Sequence, residues 1–441
     1  MRRANRAGGG VAVDLGLYLL SAGFAWLTAS SNLPAHRPWG AIAAIGYAVA
    51  ALAALVQLVT RNRGGRGAVV LGTWGAVCLL PLVFEAVQRA DGRLDRAQEE
   101  VLVVENSGIR MLETGSPFLS RADIAAIPEP LLGYTPYQPA MAVFGLPRAV
   151  LGAHWYTDAR VYFALVTALC LFLALRTATT SPPRLSKAGL LSPASGTTPA
   201  STGDEANGAG SPDVRTAGTS GRVRALQAVT VLPVAALTLA TGGDDLPVLA
   251  LTLLGLAYLA RGKDTATGVV LGLAAALKLF AWPVAAVVLI ARLLTRRSTG
   301  AGIGKLAVPM IAIPVLTALP ALVVNPGAFV ENVLKFPLGH GLVKSPAASP
   351  LPGHLITENV PGGRYIALGL LGLAACALGW WLLRRPPRTA AAAAAVCATG
   401  LLTAMLLMPA TRFGYLLYPA AYALWIPFLG SLGPVREPDP A

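Results

Sequence analysis

The chain has 441 residues, of which 55% are hydrophobic and 13% charged, and its mean hydropathy is +0.61. A soluble protein of this length carries about twice that charged fraction, so composition points to a polytopic membrane protein. The net charge of +14 sits in short Lys/Arg clusters between apolar runs, which is how topology is set, and no basic face with interleaved aromatics suggests nucleic acid.

A spanning helix needs about 20 mostly apolar residues. Runs of this kind lie at 11–30, 40–60, 67–88, 159–177, 224–241, 246–261, 266–278, 280–294, 304–324, 364–384, 389–408 and 413–432. The expectation is an all-α polytopic transmembrane bundle of about twelve helices. The pair 266–294 is the ambiguous one, because neither member is long enough alone and Lys278 stands between them. The first run follows Met1-Arg2-Arg3, is long for a signal-peptide core and lacks a small-residue cleavage pattern, so it reads as a retained helix. Cys78, Cys170, Cys376 and Cys397 each fall inside an apolar run, far apart. They read as small buried hydrophobes rather than disulfides or metal ligands.

Orientation follows from the basic residues of the short loops. Arg2, Arg3 and Arg6 place the N-terminus in the cytoplasm. Arg61, Arg63 and Arg66, then Arg176, Arg184, Lys187, Arg222 and Arg224, then Arg261 and Lys263, then Arg292, Arg296 and Arg297, then Arg384, Arg385 and Arg388 mark the inner side. The alternation closes if 266–294 is two helices, and it leaves both termini cytoplasmic. The chain then divides into three helices at 1–88, an extracytoplasmic loop at 89–158, a helix at 159–177, a linker at 178–222 and the remaining helices at 223–441. The linker is rich in Ser, Thr, Pro, Gly and Ala. Such a segment buries too little surface to offset its ordering entropy and is expected to be disordered.

Three outer loops carry chemistry-bearing residues. In 89–158, Val101, Leu102, Val104, Ile109, Met111 and Leu112 describe an amphipathic helix lying at the membrane surface, stopped by Gly115-Ser-Pro117, and 139–152 is a second such piece. Glu100 opens the first helix, where the helix dipole keeps a carboxylate ionised and able to act as a general base. A solvated acidic face formed by Glu99, Glu100 and Glu105 is the plainer account of the same residues. Asp244 and Asp245 stand side by side in the turn 241–247. They suit a sugar hydroxyl or a divalent cation, or simply an N-cap before Pro247. In the loop 325–363, His340 and His354 are spaced too far apart for a metal signature. His340 is a candidate for phosphate or proton contact.

Several stretches taken in order resemble membrane-embedded (GT-C) glycosyltransferases, and family 87 most of all. These are Glu100-x-x-x-Val104, Leu112-x-x-Gly115-x-Pro117-Phe118, Tyr134-Thr-Pro-Tyr137-Gln-Pro139, Gly242-Gly-Asp-Asp-Leu-Pro247, Gly272-Leu-Ala-Ala-Ala-Leu-Lys278 with Trp282-Pro283, and Met408-Pro-Ala-Thr-Arg412 with Tyr418-Pro419. The family includes actinobacterial mannosyltransferases that use polyprenyl-phosphate-mannose. The resemblance implies transfer of a hexose, mannose foremost, from a polyprenyl-phosphate sugar to a glycolipid or cell-envelope glycan at the outer face of the plasma membrane. The family's catalytic residue is typically an Asp of the first outer loop. The register from Pro117-Phe118 puts Glu100 there, a departure that keeps Glu105 open as the base.

A lipid-phosphate leaving group needs fixed cations at headgroup depth. Lys278 and Arg412 fall at outer helix ends, with Arg160 and Arg148 as alternatives, and either of the first two suits simple snorkelling as well. Tyr134 and Tyr137 are candidate substrate contacts. No cofactor is implied beyond the lipid-linked sugar donor, with a divalent cation left open. A transporter or flippase is the competing reading, and a scaffold that has lost activity is a third. The charges gather at one face rather than at the bilayer midplane, and the front and back halves show no internal repeat of the kind transporters often have.

Overall fold

The computed structural model describes residues 10–62, 64–178, 212–294 and 300–433. Helices α1 (Val11–Thr28), α2 (His36–Val59) and α3 (Arg66–Ala90) come first. Next are the loop helices α4 (Glu99–Thr114) and α5 (Pro139–Leu151, opening as a 3-10 turn), then α6 (Ala159–Arg176), α7 (Pro212–Thr230) and α8 (Pro233–Thr241). The rest are α9 (Asp245–Ala260), α10 (Asp264–Leu277), α11 (Ala281–Leu294), α12 (Gly300–Val324), α13 (Gly363–Arg384), α14 (Ala390–Leu407) and α15 (Leu417–Leu432). Among the described residues nine helical segments are long and apolar enough to cross a membrane, α7 and α8 counting as one through Ser220–Thr241. Shorter apolar α9, α10 and α11 complete the bundle. The expected runs are all present, and 266–294 is two helices that part at Lys278. The protein is a multi-pass membrane protein. Its rim exposes Leu20, Val59, Val323 and Leu373, a surface suited to lipid rather than water.

One boundary differs from expectation. Of the 178–222 linker, 179–211 lies outside the described residues, and 212–222 is the helical start of α7. Of the basic residues that mark the inner side, Arg2, Arg3, Arg6, Arg63, Arg184, Lys187, Arg296 and Arg297 also lie outside them.

The core is built around α9, whose residues Asp245 to Ala257 are all buried. A helix apolar on every side needs neighbours on every side, and α9 packs on α6, α8, α10, α11, α14 and α15. Where α7 gives way to α8 at Pro233, the freed Val231 carbonyl accepts a hydrogen bond from Tyr47 Oη at 2.8 Å. In lipid such a carbonyl has to find a partner within the protein. Gly268 and Gly272 let α10 lie directly against α12, since a Cβ on either would meet the backbone oxygens of Leu306 at 2.2 Å or Pro309 at 2.6 Å. This is the small-residue contact of membrane helix pairs.

The two loop helices meet in the same way. A Cβ on Gly108 of α4 would lie 2.4 Å from the Gly145 carbonyl carbon, and one on Gly145 would lie 2.3 Å from the Val104 carbonyl oxygen. The apolar face of α4 is therefore only partly available to lipid. Val101 and Val104 are fully buried in the protein core, while Ile109 and Leu112 remain exposed.

Candidate active site

Four chain segments converge at one end of the bundle: the start of α4, the turn before α9, the break between α10 and α11, and the approach to α15. The start of α4 is anchored by Gln98, whose N–H donates to the Thr241 carbonyl at 2.8 Å and whose side chain lies 2.5 Å from the His36 ring. Glu99 and Glu100 occupy the first turn. The Glu100 carboxylate forms an ion pair with the Arg412 guanidinium, 312 positions along the chain. Arg412 is delivered by a short parallel bridge between Thr411 and Ala348, in which Ser349 N–H donates to the Thr411 carbonyl and Thr411 N–H to the Ala347 carbonyl, both at 2.9 Å. His354 steadies the same stretch through Nδ1, 3.0 Å from the Pro409 carbonyl.

The second half of the site is Lys278. It ends α10 in an extended conformation, and its ammonium donates to Asp244 Oδ2 at 2.8 Å and Asp245 Oδ1 at 2.5 Å. Asp244 makes no side-chain capping bond to α9, so the aspartate pair serves Lys278 rather than the helix end. Tyr418 Oη donates to Asp245 Oδ1 at 2.8 Å. The rings of Tyr137, Tyr415 and Phe280 surround the ammonium, their centroids 5.3, 5.6 and 5.8 Å from Nζ, within cation–π range. Gln138 N–H donates to the Leu277 carbonyl at 3.0 Å and so locks the Tyr137 segment onto the helix break.

Charge joins the halves. Burial and then the negative charges of Asp244, Glu100 and Asp245 hold the Tyr137 hydroxyl well above its ordinary range, so Tyr137 is within electrostatic reach of both carboxylate groups. Burial opposes charge on Lys278, but Asp244 and Asp245 outweigh it and raise its pKa. Burial likewise opposes charge on Arg412, and Glu100 outweighs it. Burial and the neighbouring Glu100 charge raise Glu99. Both cations thus stay protonated, and each already holds a carboxylate. Among the described residues there is no group of three or more His, Cys, Asp and Glu side chains arranged to hold a metal ion, and the Asp244–Asp245 pair spends its charge on Lys278.

Three site candidates, Glu105, Arg160 and Arg148, lie in a separate network. Glu105 receives both ends of Arg89 at 2.5 and 2.8 Å, Arg148 Nε at 3.2 Å and Ala159 N–H at 3.2 Å. Arg89 also binds Asp158 at 2.9 Å. Asp158 is bonded in turn by Arg160 through Nε and NH2, each at 2.9 Å, and Arg160 reaches Glu85 at 3.1 Å and the carbonyls of Arg96 and Ala240 at 2.9 Å. Burial alone would raise Asp158; Arg160 and Arg89 overcome it and hold the carboxyl below its usual range. Both Glu105 oxygens are occupied and Arg160 is fully buried. Glu105 therefore does not offer a free base, nor Arg160 a free phosphate ligand, while part-buried Arg148 is drawn to Glu105 through Nε. These residues fasten α3, α4, α5 and α6 together.

Tyr134 and His340 also stand apart from the convergence. Tyr134 is buried, stacks on Phe336 with centroids 4.0 Å apart, donates to Glu331 Oε1 at 3.0 Å and accepts from Leu342 N–H at 2.7 Å. Its hydroxyl is a loop joint rather than a substrate contact. His340 is exposed, and its backbone carbonyl accepts from Arg121 at 3.1 Å. Sequence reasoning passed over Phe280, Tyr415 and the Glu85–Arg89–Asp158 network. The spacing Arg412, Tyr415, Tyr418 was the available signal, since three-residue steps share one helix face.

The model of glycosyltransferase family 87 matches residues 134–409, more than half of the chain. The chain belongs to glycosyltransferase family 87. The matched region holds Tyr137, Asp244, Asp245 and Lys278; Glu100 and Arg412 flank it. No curated protein matches the chain. Among solved structures the chain is similar to ArnT from Cupriavidus metallidurans bound to undecaprenyl phosphate, with 17% identity and a TM-score of 0.44 over 81% of this chain and 59% of that one. The apo state of the same protein gives 18% identity and 0.43, over 81% and 58%. The chain thus spans less than two thirds of ArnT's length.

Proposed function

We propose that this family 87 protein moves a hexose, mannose foremost, from a polyprenyl-phosphate-linked donor to a hydroxyl of a glycolipid or cell-envelope glycan at the extracytoplasmic face. The observation that supports it is the Glu100–Arg412 pair and the caged Lys278, brought to one end of the bundle by the Gln98–Thr241 and Gln138–Leu277 backbone hydrogen bonds. Family membership favours this reading over a transporter or flippase, and Glu100 keeps an ion-paired, partly open carboxylate that a scaffold would not need.

In the proposed step the donor phosphate takes the Arg412 guanidinium, whose planar fork matches phosphate oxygens, and Glu100 is released as a free base. Glu100 accepts the proton of the acceptor hydroxyl while that oxygen bonds to the anomeric carbon. The carbon–oxygen bond to phosphate breaks, and polyprenyl phosphate leaves with the electron pair. Arg412 and Lys278 hold its charge. Asp244 and Asp245 fix Lys278 and keep it protonated.

The test is Glu100→Gln in membranes supplied with labelled polyprenyl-phosphate-mannose. A positioned base contributes about 10²–10⁴-fold, so transfer should fall by at least about 100-fold with expression unchanged. Undiminished transfer by this variant removes the carboxylate mechanism.

A further inference from the structure

Outside the convergence just described, a cavity of about 160 Å³ opens between the end of α4, the segment that follows it and the end of α12. Arg110, Ser116, Phe118, Ser120, Asp123 and Asn325 line it. Its size is below the roughly 300 Å³ at which drug-sized ligand pockets begin, which suits one sugar ring and not a chain.

The lining holds hydrogen-bonding capacity that the fold leaves open. Arg110 has no carboxylate within ion-pair distance among the described residues, and its side chain makes a single long bond, 3.4 Å to Thr135 Oγ1. Burial pushes its pKa down. Asp123, exposed at the cavity rim, spends Oδ2 on the Ser120 hydroxyl at 2.6 Å and the Ser120 N–H at 3.3 Å as a capping box, and Oδ1 accepts no bond from the described residues. Asn325 spends Oδ1 on Ala328 N–H at 2.9 Å, and its two amide hydrogens remain open. Phe118, braced edge-on by Phe329 at 5.7 Å, supplies an apolar wall.

Two donors and one anionic acceptor thus face one small space without pairing. An anion there meets Asp123 and a cation meets Arg110. A neutral polyhydroxyl ring satisfies both, because each hydroxyl donates and accepts. Arg110 follows Glu100 by ten residues on the same helix, about 15 Å at 1.5 Å per residue. That reach is spanned by an acceptor glycan of several sugars and not by a single one.

We propose that this cavity is an acceptor subsite that holds a neutral hexose ring of the glycan, away from the hydroxyl that is glycosylated, through Arg110, Asp123 and Asn325. This rests on the glycosyl-transfer reading above. It makes the enzyme prefer acceptors that already carry sugars.

The test uses the purified full chain in nanodiscs and reads amide hydrogen exchange across residues 110–125 as mannotriose, maltotriose or inorganic phosphate is added. At least one trisaccharide should slow exchange there, and phosphate should not. Arg110→Met should weaken that protection about tenfold or more, as loss of a hydrogen bond to a charged group does, and Arg110→Lys should fall between. The guanidinium makes no strong internal bond, so thermal melting of both variants should match the wild type. Protection by phosphate alone, no protection by either sugar, or equal binding by Arg110→Met overturns the subsite. Absence of transfer in wild-type membranes overturns the transferase reading instead, whereas the exchange readout reports sugar binding whether or not transfer occurs.

Discussion

Arg412 is the residue on which the proposed chemistry turns, because it is already engaged before any donor arrives. Its guanidinium holds Glu100, the carboxylate that the proposed reaction needs free. A phosphate that captures Arg412 therefore both anchors the donor and releases Glu100, which makes donor binding the natural first event. Arg412→Lys keeps the charge and loses the bidentate fork. Arg412→Gln loses both. The expected outcome is a rise in KM for the donor of about tenfold or more in Arg412→Gln and a smaller one in Arg412→Lys, with acceptor KM little changed. A rise confined to the acceptor would mean that Arg412 serves the other substrate. Glu105 shows how finely the residue scale discriminates. It lies five residues after Glu100, about 140° around the helix at 3.6 residues per turn, and is sealed under Arg89 and Arg148.

Helix α4 carries the proposed base, and its placement depends on bare backbone contact with α5. Gly108→Ala would put a methyl where the Gly145 backbone lies at 2.4 Å, whereas Gly23→Ala on α1 meets nothing within 4 Å. Overpacking costs about 1–3 kcal/mol, so Gly108→Ala should lower both the melting temperature and transfer, and Gly23→Ala neither. Equal behaviour of the two variants would show that the α4–α5 contact does not set the site. Much at this scale was legible in sequence. Apolar run length gave the spanning helices, and Pro139 and Gly115 bounded the loop helices. What was not legible was which charges meet. The apolar stripe Val101, Val104, Gly108 does include Glu105, a sign that this carboxylate points inward to a partner. The identity of that partner, Arg89, depends on how α3 packs. Tyr134 was misread for the same reason, since its hydroxyl is claimed by Glu331, 197 residues away.

Across the whole molecule, charge separates the two ends of the bundle. At the site end Glu99, Glu100, Asp244 and Asp245 outnumber Lys278 and Arg412. At the other end Asp14 is shared by Arg66 and Arg224, and Asp264 holds Arg292. Arg61, Lys263 and Lys305 are found at that end as well, at the outer limits of α2, α10 and α12. The fold thus carries its basic excess away from the site, and Lys/Arg excess marks the cytoplasmic side. A lipid-linked sugar would then be met from outside the cell, on the side of the loop that carries Lys344 and pairs through Ala348 with Thr411. A cysteine placed in turn at Lys344 and Lys305, both exposed, in a chain whose exposed Cys376 is replaced by Ala and whose other cysteines are buried, separates the alternatives. Lys344→Cys should react with an impermeant maleimide in intact cells, and Lys305→Cys only after permeabilisation. The opposite pattern would put Glu100 and Lys278 on the cytoplasmic face. The proposal of an extracytoplasmic transferase would then fail, even with every contact of the site intact.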